Sequence, residues 1–168
     1  MQVHTKFNGE LSFQVWGADS FDADGTPLPG AKPKQETPFQ PQIITDAFFE
    51  TWLNGTTASK TDLFAYCGVG NGTTAATAAD TTISQVGTRF ALFSGDYAYS
   101  TTGNTITQTV GFRSTQGQII GTISEVGLFG ASTGGQTMMR SLIKDGGGSA
   151  TTLSLGAMDF LYVRWRVT

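Results

Sequence analysis

The chain has one histidine, His4, and one cysteine, Cys67. A Ser-His-Asp or Cys-His mechanism within it would have to use His4. Cys67 lies in the apolar run DLFAYCGVG (62–70), where a cysteine packs as a small inert hydrophobe. Metal sites built from His and Cys are equally starved, since zinc takes four such ligands or three plus water. Ser20-Phe21-Asp22-Ala23-Asp24-Gly25 approaches the calcium-loop spacing D-x-D-x-D-G, but Ser holds the first ligand position. Ala31 stands where a bidentate Glu is required, so the stretch reads as a turn. Gly68-Val69-Gly70-Asn71-Gly72-Thr73-Thr74 approaches a phosphate loop and fails it. Thr73 replaces the third Gly of G-x-G-x-x-G and no Lys follows, so the glycines are expected to let a strand end turn sharply. Paired carboxylates would serve a glycosidase, but Asp62, Asp80, Asp96, Glu125, Asp145 and Asp159 are scattered singly. Glu125, between Ile123 and Gly127, is the acid of most interest. Its ordinary role would be a strand carboxylate on a wet face or bonded to a turn amide. No catalytic residue, cofactor or metal is expected.

At 168 residues the chain suits a single domain with a real core. Only 14% of residues are charged, while Gly and Thr are plentiful, which suits an all-β protein with much of its surface covered by neighbours. The net charge of −3 sits in residues 1–60, which hold 4 Lys/Arg and 7 Asp/Glu; residues 61–168 hold 6 of each. No basic patch points to nucleic acid. No apolar run of about 18 residues spans a membrane, and MQVHTKFNGELSF has no signal-peptide stretch. Synthesis in the cytosol without a cleaved signal is the expectation, and a single cysteine excludes an intrachain disulfide.

The elements follow from periodicity. Leu11, Phe13 and Val15 alternate with Ser12 and Gln14 in a strand over 3–16. All five prolines lie in 19–42, which excludes most of that stretch from a sheet interior. It reads as an extended arm that pairs at an edge around Glu36 to Phe39, or as a disordered linker. Ile44, Phe48 and Trp52 recur at spacing four, with Phe49 and Leu53 beside them. They form the stripe of one helix, 45–53, capped by Thr45 or Asp46 and ended by Asn54-Gly55. A buried strand over 62–70 should put Leu63, Ala65, Cys67 and Val69 on one side. A low-complexity loop follows, and 81–86 fits a helical turn or a short strand equally. Residues 89–112 read as a hairpin with its tip at Thr102-Gly103-Asn104. Ile106, Val110 and Phe112 would face inward and Thr105, Thr107 and Thr109 outward. The last third reads as a three-stranded meander, 118–129, 136–144 and 151–168, forming the seam of a sandwich. In its final strand Leu161, Val163, Trp165 and Val167 alternate with Phe160, Tyr162, Arg164 and Arg166.

The order of short motifs resembles a broad group of small tail-associated virion structural proteins of tailed bacteriophages. The resemblance rests on Phe39-x-x-x-Ile43-Ile44-Thr45 before a helix and on the strand end Cys67-Gly68-Val69-Gly70-Asn71-Gly72. It continues with a loop holding Asp80-Thr81, then Ile123-Ser124-Glu125-Val126-Gly127-Leu128-Phe129, Arg140-Ser141-Leu142-Ile143, and Tyr162-Val163-Arg164-Trp165-Arg166-Val167 at the end. It covers roughly residues 36–168 and leaves the proline-rich arm unmatched. It implies a virion structural subunit without catalytic residues, assembled in the host cytoplasm with other virion proteins and copies of itself.

The expected fold is therefore all-β: one antiparallel β-sandwich or jelly-roll-like domain over 1–168, with one short α-helix and a Pro-rich arm at about 19–42. The expected function is a structural subunit at a tail tip, baseplate or fibre-attachment ring. The alternatives are a capsid decoration protein, or a carbohydrate-binding module that stacks host glycans on Tyr97, Tyr99 and Trp16. The final strand's outer face, Phe160, Tyr162, Arg164 and Arg166, combines residue types enriched at interface centres and is the expected protein interface. The competing arrangement covers that face with the protein's own helix or arm, where Glu36, Asp46 and Glu50 would pair with the arginines.

Overall fold

The computed structural model describes residues 8–22, 27–54, 65–92, 98–102 and 105–168, with the backbone alone at 51–54, 98–99 and 105–106. Eleven strands and one α-helix follow one another. The strands are β1 (Gly9–Gly17), β2 (Gln35–Ile44), β3 (Tyr66–Gly70), β4 (Gln85–Ala91), β5 (Ala98–Thr102), β6 (Thr105–Arg113), β7 (Gly121–Ile123), β8 (Glu125–Phe129), β9 (Thr137–Leu142), β10 (Leu153–Leu155) and β11 (Asp159–Val167). The helix α1 (Asp46–Asn54) lies between β2 and β3. The architecture is all-β, with a single short α-helix among the described residues. Nine strands form one antiparallel sheet in the order β4-β3-β8-β9-β2-β1-β11-β6-β5, and β10 and β7 form a second, two-stranded sheet. The large sheet curls: a bridge joins Leu92, just past the edge strand β4, to Phe112 of β6, the strand next to the opposite edge.

The curl encloses one hydrophobic core. Leu11, Phe13 and Val15 of β1 meet Leu161, Val163 and Trp165 of β11, Val110 and Phe112 of β6, and Cys67 and Val69 of β3. Period-two alternation sends these residues inward, and Val167 packs partly against the same cluster. The small sheet contributes Ile123, Leu153 and Leu155 to it. The longest pairing joins the first strand to the last: β1 and β11 match over nine residues, from Gly9 opposite Val167 to Gly17 opposite Asp159.

The last third does not form a meander. β8 and β9 do form a hairpin, but β9's other neighbour is β2, and β11 lies between β1 and β6. The apolar pattern of 118–129 fits one long strand, yet the chain breaks at Ser124. There its amide bonds to the Gly70 carbonyl and its hydroxyl to the Gly72 carbonyl, so β7 peels away to pair with β10. The expected 89–112 hairpin is also divided. Arg89–Ala91 belong to β4, which begins at Gln85 and pairs with β3, and only β5 and β6 pair as a hairpin. Periodicity marks strands but carries no information on which distant strand each one meets.

The last part of the proline-bearing segment enters the ten-residue strand β2, paired with β1, and its two prolines there, Pro38 and Pro41, stay out of a two-sided ladder, while Pro27, Pro29 and Pro33 precede the strand. β2 pairs with β9 only at Ile43 and Ile44, beyond Pro41, so Gln35–Gln42 has one ladder, and Pro38 falls at a bulge in it. The helix forms as its stripe requires, with Phe48 fully buried and Phe49 edge-on to it at 5.4 Å; the side chain of Trp52 lies outside the described residues. Thr45 is buried, and its hydroxyl points to the Thr137 and Met138 carbonyls, tying the helix entry to β9. The Asp46 amide donates to the Ala78 carbonyl at 2.8 Å.

Because Phe48 is the helix's anchor in the core, Phe48→Ala should cost about 3–5 kcal/mol, the usual loss for a large buried aromatic. Urea unfolding of the two proteins measures it. Equal midpoints would mean that the helix does not hold the core.

Candidate functional site

Four short motifs scattered through the sequence meet in one place. Glu125 opens β8 and is completely buried. One carboxylate oxygen accepts the amides of Gly72 at 2.9 Å and Ser84 at 2.6 Å. The other accepts Nε of Arg140, from β9, at 2.8 Å, and pairs with Nη2 at 2.7 Å. Arg140 also reaches Asp80 at 2.6 Å and the Thr74 carbonyl at 3.0 Å. Asp80 in turn accepts the amide and hydroxyl of Thr77 at 2.8 and 2.9 Å. A guanidinium presents several donors in a rigid fork, and this one is filled on three sides.

Two of the glycines at the end of β3, Gly70 and Gly72, leave room for this carboxylate, while Gly68 faces the Phe129 ring. Gly68, Gly70 and Gly72 are absent from the positive-φ glycines, so unusual backbone angles are not what they supply. A Cβ on Gly70 would stand 2.6 Å from a Glu125 oxygen, and one on Gly72 would overlap the carboxylate. The loop does cradle an anion with its amides, but the anion is the protein's own Glu125. The expectation of a sharp turn misplaces the reason, which is close approach. The wet-face expectation for Glu125 is also corrected, while the bond to turn amides holds.

Burial by itself would raise Asp80, but hydrogen bonds from Thr77 and Arg140 together hold its carboxyl below the usual range. Burial likewise works against the Arg140 charge, and its bonds to Asp80 and Glu125 outweigh that and keep it firmly protonated. Asp159 is bound by Lys34 at 2.6 Å and by the Gly156 amide at 2.9 Å, which hold it low in that order. Asp145 accepts the Gly147 and Ser149 amides of its own turn. Burial pushes the Cys67 thiol well above its ordinary range and away from nucleophilic use. Asp62, Asp96 and His4 lie outside the described residues, as do Ala23–Gly25 of the calcium-like stretch. Among the described residues no group of three His, Cys, Asp or Glu side chains is placed to hold a metal ion. No described helix is long and apolar enough to cross a membrane.

The outer face of β11 gathers the four residues expected at an interface, all half-buried. The arm covers part of it. Phe21 packs edge-on to Phe160 at 5.3 Å and against Trp16 at 5.4 Å, and Phe39 lies beneath Arg166 at 4.1 Å and near Arg164 at 5.4 Å. The acid that meets an arginine is Glu10, 2.6 Å from Arg166 and its cross-strand neighbour; Glu36, Asp46 and Glu50 form no ion pair with these arginines. Trp16 is buried, and its indole N–H reaches Gln14, so it offers no open face for a sugar. Tyr97 and the Tyr99 side chain lie outside the described residues. Arg140 is the residue that sequence reasoning missed. Its motif was visible, but its partners stand 15 and 60 residues away, and nothing in spacing couples them. No protein-family model, curated protein or solved structure matches this chain.

Two outcomes follow. Arg140→Met should destabilise the fold by about 3–5 kcal/mol, because it strands a buried carboxylate; adding Glu125→Gln should recover part of that loss in urea unfolding. The second concerns pH. Asp80 and Asp159 both titrate lower in the folded chain than unfolded. Their contribution is complete above the ordinary carboxylate range near 3.9 and is lost as pH falls through the lower folded values. The thermal midpoint should therefore fall below about pH 4, more shallowly in Asp159→Asn. A midpoint flat from pH 6 to 2.5 would show that these pairs do not matter.

Proposed function

We propose that the chain is a non-catalytic structural subunit of a tailed-bacteriophage particle. It is tail-associated, at a tail tip, baseplate or fibre-attachment ring, and works by protein–protein assembly with other virion proteins and copies of itself. The observation that carries this reading is the bracket around Arg140. The motifs behind the phage resemblance, C-G-V-G-N-G, the Asp80 loop, E-V-G and R-S-L-I, are the parts of that one bracket. A fixed order of motifs is what a shared fold with one internal salt bridge would leave in a sequence. The acids best placed for hydrolysis are engaged elsewhere: Glu125 and Asp80 on Arg140, Asp159 on Lys34. The half-buried aromatic and arginine face of β11 supplies the residue types that protein contacts favour. The same face would serve a capsid decoration protein. The carbohydrate module has less support, because Trp16 is enclosed.

The test is to find the protein in purified particles by mass spectrometry and place it in a density map of the whole particle. Density at the tail supports the reading, density on the capsid lattice moves it to decoration, and absence from particles overturns it. The purified chain should also leave host polysaccharide intact. Turnover that disappears in Glu125→Gln or Asp159→Asn would refute the non-catalytic part.

A further inference from the structure

Resting on that assembly reading, we infer that Arg164 of one copy binds the acidic side of helix α1, Asp46 and Glu50, of a second copy. The outer face of the sheet is arranged in cross-strand rows. In one row Glu10 stands opposite Arg166, and their side chains pair at 2.6 Å. In the next, Arg164 stands between Ser12 of β1 and Gly111 of β6, two of the smallest neighbours a strand can offer. No carboxylate among the described residues pairs with Arg164. Its guanidinium instead lies 5.4 Å from the Phe39 ring and 5.7 Å from that of Tyr162. Its Nε is buried without a hydrogen-bond partner, and so is the hydroxyl of Ser12, a residue only 1% exposed. Arg164 as a whole is only half-buried, so the outer nitrogens of its guanidinium, not the sealed Nε and Ser12 hydroxyl, are what a negatively charged acceptor can reach. A docked carboxylate supplies the charged acceptor that no described acid of the same chain supplies.

The chain carries a matching group. Asp46 and Glu50 lie one helical turn apart and are both exposed. They belong to the acidic N-terminal portion, which holds the whole net charge of −3. The helix's apolar side is fixed inward by Phe48, so its acidic side faces out. Arg164 and the helix acids are different patches, which makes the contact heterologous. Such head-to-tail contacts close into rings when the rotation between copies permits, and otherwise extend as filaments.

The experiment is sedimentation velocity on the purified full chain over a range of concentrations, at low and high salt. Wild type should associate, and less so in high salt. Arg164→Glu and the pair Asp46→Lys, Glu50→Lys should each weaken association by at least about tenfold with the melting temperature kept. Arg164→Gln gives the same reading if the glutamate variant does not fold. A mixture of the two charge-reversed proteins, or all three changes in one chain, should restore association. Wild type that stays monomeric at high concentration overturns this pairing and weakens the assembly reading with it. Wild type that associates while Arg164→Glu and Arg164→Gln associate equally, or reversal without rescue, overturns the pairing and leaves the assembly reading standing.

Discussion

A buried carboxylate must meet its countercharge inside the protein, and much of this structure is arranged around that need. Glu125 is wholly buried, and charge at such a position is tolerated only when every lone pair has a donor. Arg140 supplies one side and the amides of Gly72 and Ser84 the other. The amides belong to the two ends of the long loop between β3 and β4, so satisfying the carboxylate also fixes the loop. Arg140 extends the same constraint to Asp80 and the Thr74 carbonyl in the loop's middle. The loop then holds the helix entry through the bond from the Asp46 amide to the Ala78 carbonyl. An irregular stretch of low-complexity sequence is thereby ordered without a hydrophobic stripe of its own. Such a pair is weak as a source of net stability, and its role here is to select one arrangement.

The other half of the sheet is held differently. β1 and β11 join over nine residues in the middle of the sheet, and Asn8 and Thr168 exchange backbone bonds just beyond it at 2.8 and 2.9 Å. The core is closed by the pairing of the first and last described strands. Alternation alone drives this half, with apolar residues inward and few polar groups to satisfy. The bracket half and the ladder half meet where β2 joins β9 through Ile43 and Ile44. Gln40 spans the gap where the two part, its amide reaching the Lys144 and Asp145 carbonyls.

What could be read from the sequence tracks the range of the forces involved. The helix and the inward face of β11 depend on spacing within a few residues, and both were legible. The order of strands depends on contacts across the chain, so the expected meander and the 89–112 hairpin were not. Pro38 and Pro41 mark a strand with one open side, and the sequence shows their incompatibility with a two-sided ladder but not that β1 would take the other side. Glu125 stood out as an acid in an apolar strand. Its meaning depended on Arg140 and on two glycines whose role is to make room for it.

The economy of charge connects these points to the surface. Few residues are charged, and most of the charges buried or half-buried in the sheet have partners: Glu125 and Asp80 with Arg140, Asp159 with Lys34, Glu10 with Arg166. Arg89 lies on the Phe129 ring at 3.4 Å and donates to two carbonyls, so even without an acid its needs are met. Among these charged groups Arg164, whose Nε is buried and unmet, departs from the pattern; the other buried side-chain atoms without a partner, including the Ser12 hydroxyl, belong to uncharged residues. On a fully solvated face water would satisfy both groups, and their environment would carry no information. Here the neighbouring rings and strands have excluded that water from Nε and from the serine hydroxyl, so the chain carries their cost at this place, and only the outer part of the half-buried Arg164 side chain stays open to solvent.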